Sequence, residues 1–184
     1  EKMTGFIDPH DRGMAFLFGD GAGAVVVAAS DTPGIGPVVW GSDGAHIKTI
    51  TQEPTYVEVQ HALATGEPLP PVALRMAGQT VFRWAVTKMG PVAQRALDLA
   101  GVGNDDLDFA EVHDCFTIAE LVLYEVIGLA PRGQGARAIE EGWVYRDGKL
   151  PINLSGGLKA KGHPVGATGV SQHVIAAMQL SGTA

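Results

Sequence analysis

A single cysteine in 184 residues leaves no partner for an internal disulfide. No secretory leader is visible either, so the expected compartment is a reducing cytoplasm. No apolar run approaches the roughly eighteen residues a membrane-crossing helix requires, and no membrane span is expected. Positive charge is scarce: 13 Lys and Arg stand against 20 Asp and Glu, a formal net charge of -7. That balance argues against nucleic acid or an anionic membrane as a partner. Local basic rims at Arg75, Arg83 and Lys88, or at Lys159 and Lys161, leave room for a phosphate-bearing ligand. Repeats and low-complexity tracts are lacking too. What remains is ordinary: 46% hydrophobic residues and both charge signs, enough for one globular unit with a sizeable core. The chain opens on Glu1 and closes on Ser181-Gly182-Thr183-Ala184 directly after an expected helix, so it reads as an internal piece of a longer protein.

Apolar patterning suggests strands alternating with helices, an α/β arrangement whose ligands bind outside the carboxyl ends of strands. Residues 13–18 and 24–29 read as two buried strands about the turn Gly19-Asp20-Gly21-Ala22-Gly23. A phosphate-binding loop at these glycines would need a helix to follow them, whereas a β-branched run follows. Val38-Val39-Trp40 suggests a further strand, and residues 43–71 read as a long irregular excursion. Phe82, Ala85, Val86, Met89, Val92, Ala93, Ala96 and Leu97 form the stripe of a helix over 79–100 that packs on a sheet and stops at Gly101. Residues 107–112 read as a strand, and Thr117 to Glu120 has capping-box spacing for a helix through Ile127. A short helix over 135–141, a hairpin-like excursion over 143–149 and a helix over 167–180 with Val170, Val174, Ala177 and Met178 inward complete the reading. Trp40, Trp84 and Trp143 are expected to fill the core or cover edges.

Two loops carry the chemistry. The run Ser155 to Gly169 delivers His163 on a glycine-paved turn, between Gly162 and Pro164, just before an apolar helix. Glycines on both sides let backbone approach a ligand closely, and Pro164 sets the turn that presents the imidazole. The following helix N-terminus is expected to offer N–H groups to an oxyanion or enolate. In the second loop, Glu111-Val112-His113-Asp114-Cys115-Phe116 leaves a strand, so His113 and Cys115 share one face and Asp114 points the other way. A thiol beside an imidazole can be held as thiolate or can shuttle protons. A buried structural pair, or a metal site of His113, Cys115 and His163, are the alternatives. Two histidines and a thiol meeting in one place suit carbon-acid chemistry beside a thioester. His10, His46, His61 and His173 read as structural or solvated.

These motifs resemble the thiolase superfamily, in two dialects. Residues 1 to about 108, with Phe18-Gly19-Asp20-Gly21-Ala22-Gly23-Ala24-Val25, Trp40-Gly41-Ser42-Asp43-Gly44 and Met76-Ala77-Gly78-Gln79-Thr80-Val81-Phe82, resemble β-ketoacyl-acyl-carrier-protein synthase III. From about 109 onward, His113-Asp114-Cys115-Phe116 and Gly162-His163-Pro164-Val165-Gly166-Ala167-Thr168-Gly169 resemble the sterol-carrier-protein type of thiolase. The synthase would carry an asparagine where His163 stands. The join falls within a strand both families share.

The resemblance implies a layered α-β-α-β-α fold built from two similar halves, usually a homodimer. Residues 1–42 would be the end of the first half and residues 43–184 most of the second, without its final hairpin. The implied activity is reversible Claisen condensation or thiolytic cleavage of acyl-CoA thioesters. The alternatives are a synthase III acting on acyl-CoA and acyl-carrier protein, a non-catalytic acyl-binding subunit, or a steroid side-chain retro-aldolase. By similarity His163 would donate to the thioester or enolate oxygen, His113 would serve the same oxyanion hole, and Cys115 would move the α-proton. Gly78 and Phe82 would lie near the pantetheine arm, and Gly156, Gly157 and Gly162 would let the thioester approach. No permanently bound cofactor or metal is implied, coenzyme A thioester being the substrate. The family's nucleophilic cysteine would belong to the first half, so this chain is expected to be inactive alone.

Overall fold

Thr55 and Glu58 open the first helix through a reciprocal cap. The Thr55 hydroxyl accepts from the Glu58 N–H, and the Glu58 carboxylate accepts the Thr55 N–H at 2.6 Å. This helix, α1 (Tyr56–Thr65), lies inside the stretch expected to be irregular, and so does a strand, β1 (Ile50–Glu53). The T-x-x-E spacing at 55–58 was the signal for it. The computed structural model describes residues 1–69 and 71–184. Strand β2 (Ala73–Met76) pairs antiparallel with β1, Ile50 opposite Met76 and Glu53 opposite Ala73. A short 3-10 helix (Gly44–Thr49) leads into β1.

The expected helices form nearly where the pattern puts them. α2 (Gly78–Ala100) ends at Gly101, which takes the left-handed conformation at φ +70° and returns its N–H to Leu97 and Asp98 carbonyls. Its stripe packs on α3 (Thr117–Val126) rather than on a sheet, and Val92 lies outside it, exposed. The approach is close: a Cβ on Gly90 would stand 2.3 Å from Val126 Cγ1. α3 in turn packs on α4 (Gly135–Glu140), where the Glu125 carboxylate accepts the Gly133 and Gly135 N–H groups. α5 (Gly157–Lys161) is a short helix within the glycine-rich run, and α6 (Val165–Leu180) follows His163. In α6 the buried positions are Ala167 and Thr168, while Ala177 and Met178 face outward. The core gathers Tyr124, Leu129, Ala138, Val144, Leu150 and Ile152, with Trp143 packed against it.

Strands are the elements that differ from expectation. Residues 13–17 form turns, 24–29 form no ladder, and Val26 is 99% exposed. Val38-Val39-Trp40 is likewise unpaired, and Trp40 is exposed rather than filling core. Trp84 is half-buried and donates its Nε1–H to Asp43. Residues 107–112 are extended but bridge only once, Ala110 to Ile152 in parallel, and 143–149 is a run of turns closed by Leu150 N–H to Trp143 carbonyl. The physical reason is that a helix closes its hydrogen bonds within its own segment, whereas a strand borrows every bond from a neighbour. Among the described residues, 24–29 has no such neighbour. No helix among them is long and apolar enough to cross a membrane.

Candidate active site

Asp114 organises the meeting of the two loops. The extended segment through Val112 is held by Ala110 N–H on the Pro151 carbonyl and by Val112 N–H on Asn153 Oδ1 at 2.8 Å. Its alternation turns His113 and Cys115 to one side and Asp114, 1% exposed, to the other. The Asp114 carboxylate accepts the Leu158 N–H at 2.8 Å, at the start of α5, and pairs with Lys159 Nζ at 3.0 Å. Burial pushes this carboxyl up, but the Leu158 and Lys159 hydrogen bonds outweigh it and hold it below the ordinary value. Lys159 also reaches Glu120 at 2.7 Å, so its charge is spent inside the fold rather than on a phosphate rim. Glu120 serves Lys159 and Asn153 in place of the capping box: the cap position of α3 is Phe116, with no side-chain cap.

Gly157 makes that junction possible. At φ +64° it takes a conformation side chains rarely adopt, and a Cβ there would stand 2.2 Å from Asp114 Oδ2. Gly156, also left-handed, faces Ala160, and Gly162 packs against Gly19. Gly156, Gly157 and Gly162 therefore shape the backbone behind the site; they do not line its cavity. Gly78, the first residue of α2, also lies outside the lining, whereas Phe82 is part of it.

His163 is 6% exposed and sits where residues 18 and 163 bridge in parallel. Its ring stacks on Phe18 at 5.7 Å and meets the His113 ring edge-to-face at 4.5 Å. His113, Cys115 and His163 together line one cavity of about 690 Å³, whose remaining wall is largely apolar: Met76, Phe82, Met89, Leu123 and Val126 among others. This is the size and character of a small-molecule site. Burial lowers the His113 imidazole, partly offset by Asp114. Burial, then the neighbouring His113, takes His163 down to about 4. Burial also raises the Cys115 thiol above its ordinary value of 9.0. The trio therefore rests uncharged at neutral pH, two imidazoles and a thiol, not a thiolate–imidazolium pair. Cys115 is expected to alkylate with iodoacetamide at pH 7 more slowly than a free peptide thiol, with the rate climbing only above pH 9. Faster modification than the peptide would contradict this environment.

The N-terminal turn of α6 does not offer its donors as expected. Gly166 N–H is taken by the Glu1 carboxylate, and the Ala167 and Thr168 N–H groups return to the Pro164 carbonyl. Among the described residues no group of three or more His, Cys, Asp or Glu could hold a metal ion. Sequence patterning had not singled out Asn153 or Thr168, and it had assigned Lys159 to a basic rim and Glu120 to a helix cap rather than to the Asp114 junction. The alternation that turned Asp114 away from His113 was the one available signal.

Two family models match separate stretches of the chain, with the thiolase part beginning well before the join expected near residue 108. A family model described as thiolase C-terminal domain-like matches residues 75–184, and one described as 3-oxoacyl-[acyl-carrier-protein] synthase III matches residues 1–44. The β-ketoacyl-[acyl-carrier-protein] synthase III of Streptomyces glaucescens is 48% identical over 108 residues, 59% of this chain and 31% of its own length. The mycobacterial β-ketoacyl-[acyl-carrier-protein] synthase III of Mycobacterium marinum is 40% identical over 155 residues, 84% of this chain and 45% of its own. The chain thus spans less than half the length of these relatives. Among solved structures, the priming β-ketosynthase of the R1128 polyketide pathway superposes with a TM-score of 0.60 at 40% identity, over 70% of this chain and 37% of that one. A 3-oxoacyl-(acyl-carrier-protein) synthase III superposes over 99% of this chain and 50% of that one, with a TM-score of 0.62; at 20% identity it speaks to fold alone.

Proposed function

The chain belongs to the thiolase superfamily, as a thiolase C-terminal domain-like protein, and from that premise we propose that it forms part of an acyltransferase that joins acyl groups carried as thioesters. Its fold is the carboxyl-terminal part of the thiolase-like fold. The observation that carries the reading is the convergence of His113, Cys115 and His163 on one apolar cavity. Such a cavity suits an acyl thioester: the chain fills the apolar part, and the polar trio meets the carbonyl and the carbon beside it. In this proposal an imidazole of the His113 and His163 pair first takes the Cys115 proton; the imidazolium then donates to the oxygen on which charge develops, and the thiolate takes up the proton of the adjacent carbon. Residues 1–42 would complete one half of a two-half protein and 43–184 most of the other, in a homodimer.

The named relatives favour a condensation of the β-ketoacyl-acyl-carrier-protein synthase III kind, with acyl-CoA and a malonyl-carrier protein as substrates, over the acyl-CoA thiolase expected first. Thiolytic cleavage is the second reading, favoured by the presence of Cys115 and His163 on the cavity wall. The two separate in one assay of the full protein that carries this chain. Synthase chemistry requires malonyl-carrier protein together with an acyl-CoA. Cleavage of acetoacetyl-CoA by free coenzyme A, without a carrier protein, would instead establish the thiolase. Saturable acyl-CoA binding with neither turnover would overturn both and leave an acyl-binding subunit.

A further inference from the structure

The hydroxyl of Thr168 stands between two groups that compete for its proton. Oγ1 lies 2.8 Å from His163 Nδ1 and 3.0 Å from the Pro164 carbonyl oxygen, and Thr168 is 2% exposed. A hydroxyl carries one proton, and a carbonyl oxygen can only accept. Both contacts are hydrogen bonds in a single arrangement: Thr168 donates back to Pro164, four residues earlier, as helix threonines do, and accepts from a protonated Nδ1. With the proton on Nε2 instead, Thr168 would have to donate to Nδ1. Its oxygen would then face the Pro164 oxygen at 3.0 Å with no proton between them. Solvent does not reach this point to relieve the repulsion, because both His163 and Thr168 are buried. The ring cannot readily turn to escape, being held between Phe18 and the edge of His113.

We infer that Thr168 is a positioning residue that fixes His163 as the tautomer protonated on Nδ1, leaving Nε2 as the ring nitrogen with a free lone pair. This goes beyond the acyl-transfer reading and does not depend on it. If that reading holds, neutral His163 meets its substrate as a proton acceptor. It can give a hydrogen bond to an oxyanion through Nε2 only after it has taken a proton there. The donor role expected from the resemblance thus belongs to the imidazolium alone.

Long-range ¹H–¹⁵N correlation spectra of the histidine-labelled chain at pH 7 read the tautomer directly, with His163→Gln assigning the signals. The expected result is a protonated Nδ1 and an unprotonated Nε2 at His163. Thr168→Val should move the population toward the Nε2-protonated form, because a buried Nδ1–H then has no acceptor; Thr168→Ser should restore the parent pattern. A parent spectrum with the proton on Nε2 overturns the inference, whether or not the valine variant folds. So does a valine variant that keeps the parent signature, or a serine variant that loses it. None of these readouts depends on turnover.

Discussion

His163→Gln is expected to lower kcat/KM for thioester condensation or cleavage by about 10²–10⁴-fold in the full protein, the range for losing a positioned acid or base. Glutamine keeps a polar group near Thr168 but cannot exchange a proton, so the loss should fall on turnover rather than on folding at neutral pH. A decrease of less than about tenfold would remove His163 from the chemistry. The same variant has a signature in stability against pH. The folded-state value of about 4 lies below the ordinary 6.5. Between these two the unfolded chain binds more protons than the folded one, so stability rises with pH across that window and is lost as pH falls through about 4. A shift of this size corresponds to about 3 kcal/mol. Denaturant unfolding at a series of pH values should show this slope in the parent, with a clear reduction in His163→Gln. His113, also lowered by burial, leaves a residual slope of the same sign.

Asp114→Ala is expected to destabilise the chain by about 3 kcal/mol, the scale for removing one member of a buried, hydrogen-bonded charge pair. The aspartate's loss strands the Leu158 N–H, whereas Lys159 keeps Glu120. Because the carboxylate ties α5 to the His113 loop, the distance between His113 and His163 should loosen along with the fold. Gly157→Ala attacks the same junction from the other side, since its Cβ would overlap Asp114 Oδ2. Two changes to one contact do not add. The double variant should therefore unfold at a denaturant midpoint close to that of the worse single variant. An Asp114→Ala chain within about 0.5 kcal/mol of the parent would show that the junction does not matter to stability.

Helices were legible to within a few residues because their evidence is local. α2 carried its apolar stripe and its Gly101 stop, and α4 and α6 appeared within two residues of their expected starts. Local evidence also misled. The spacing from Thr117 to Glu120 looked like a cap, but Lys159 and Asn153 claim the Glu120 carboxylate from more than thirty residues away. The cap that does form, Thr55 with Glu58, lay in a stretch dominated by proline and glycine signals. Strands were the least legible: Val25-Val26-Val27 has every intrinsic preference for one, yet pairs with nothing among the described residues.

The chain's own order of residues was sufficient to determine helices α2, α3, α4 and α6, the family resemblance and the candidacy of His113, Cys115 and His163, since each of these is written in neighbouring positions. Only tertiary structure decided that the three side chains share one apolar cavity and that Asp114, not a backbone turn alone, locks their loops together. It also decided that the imidazoles and thiol rest uncharged. Charge state depends on how much water each group loses and which partners face it, and those partners come from segments far apart in the chain.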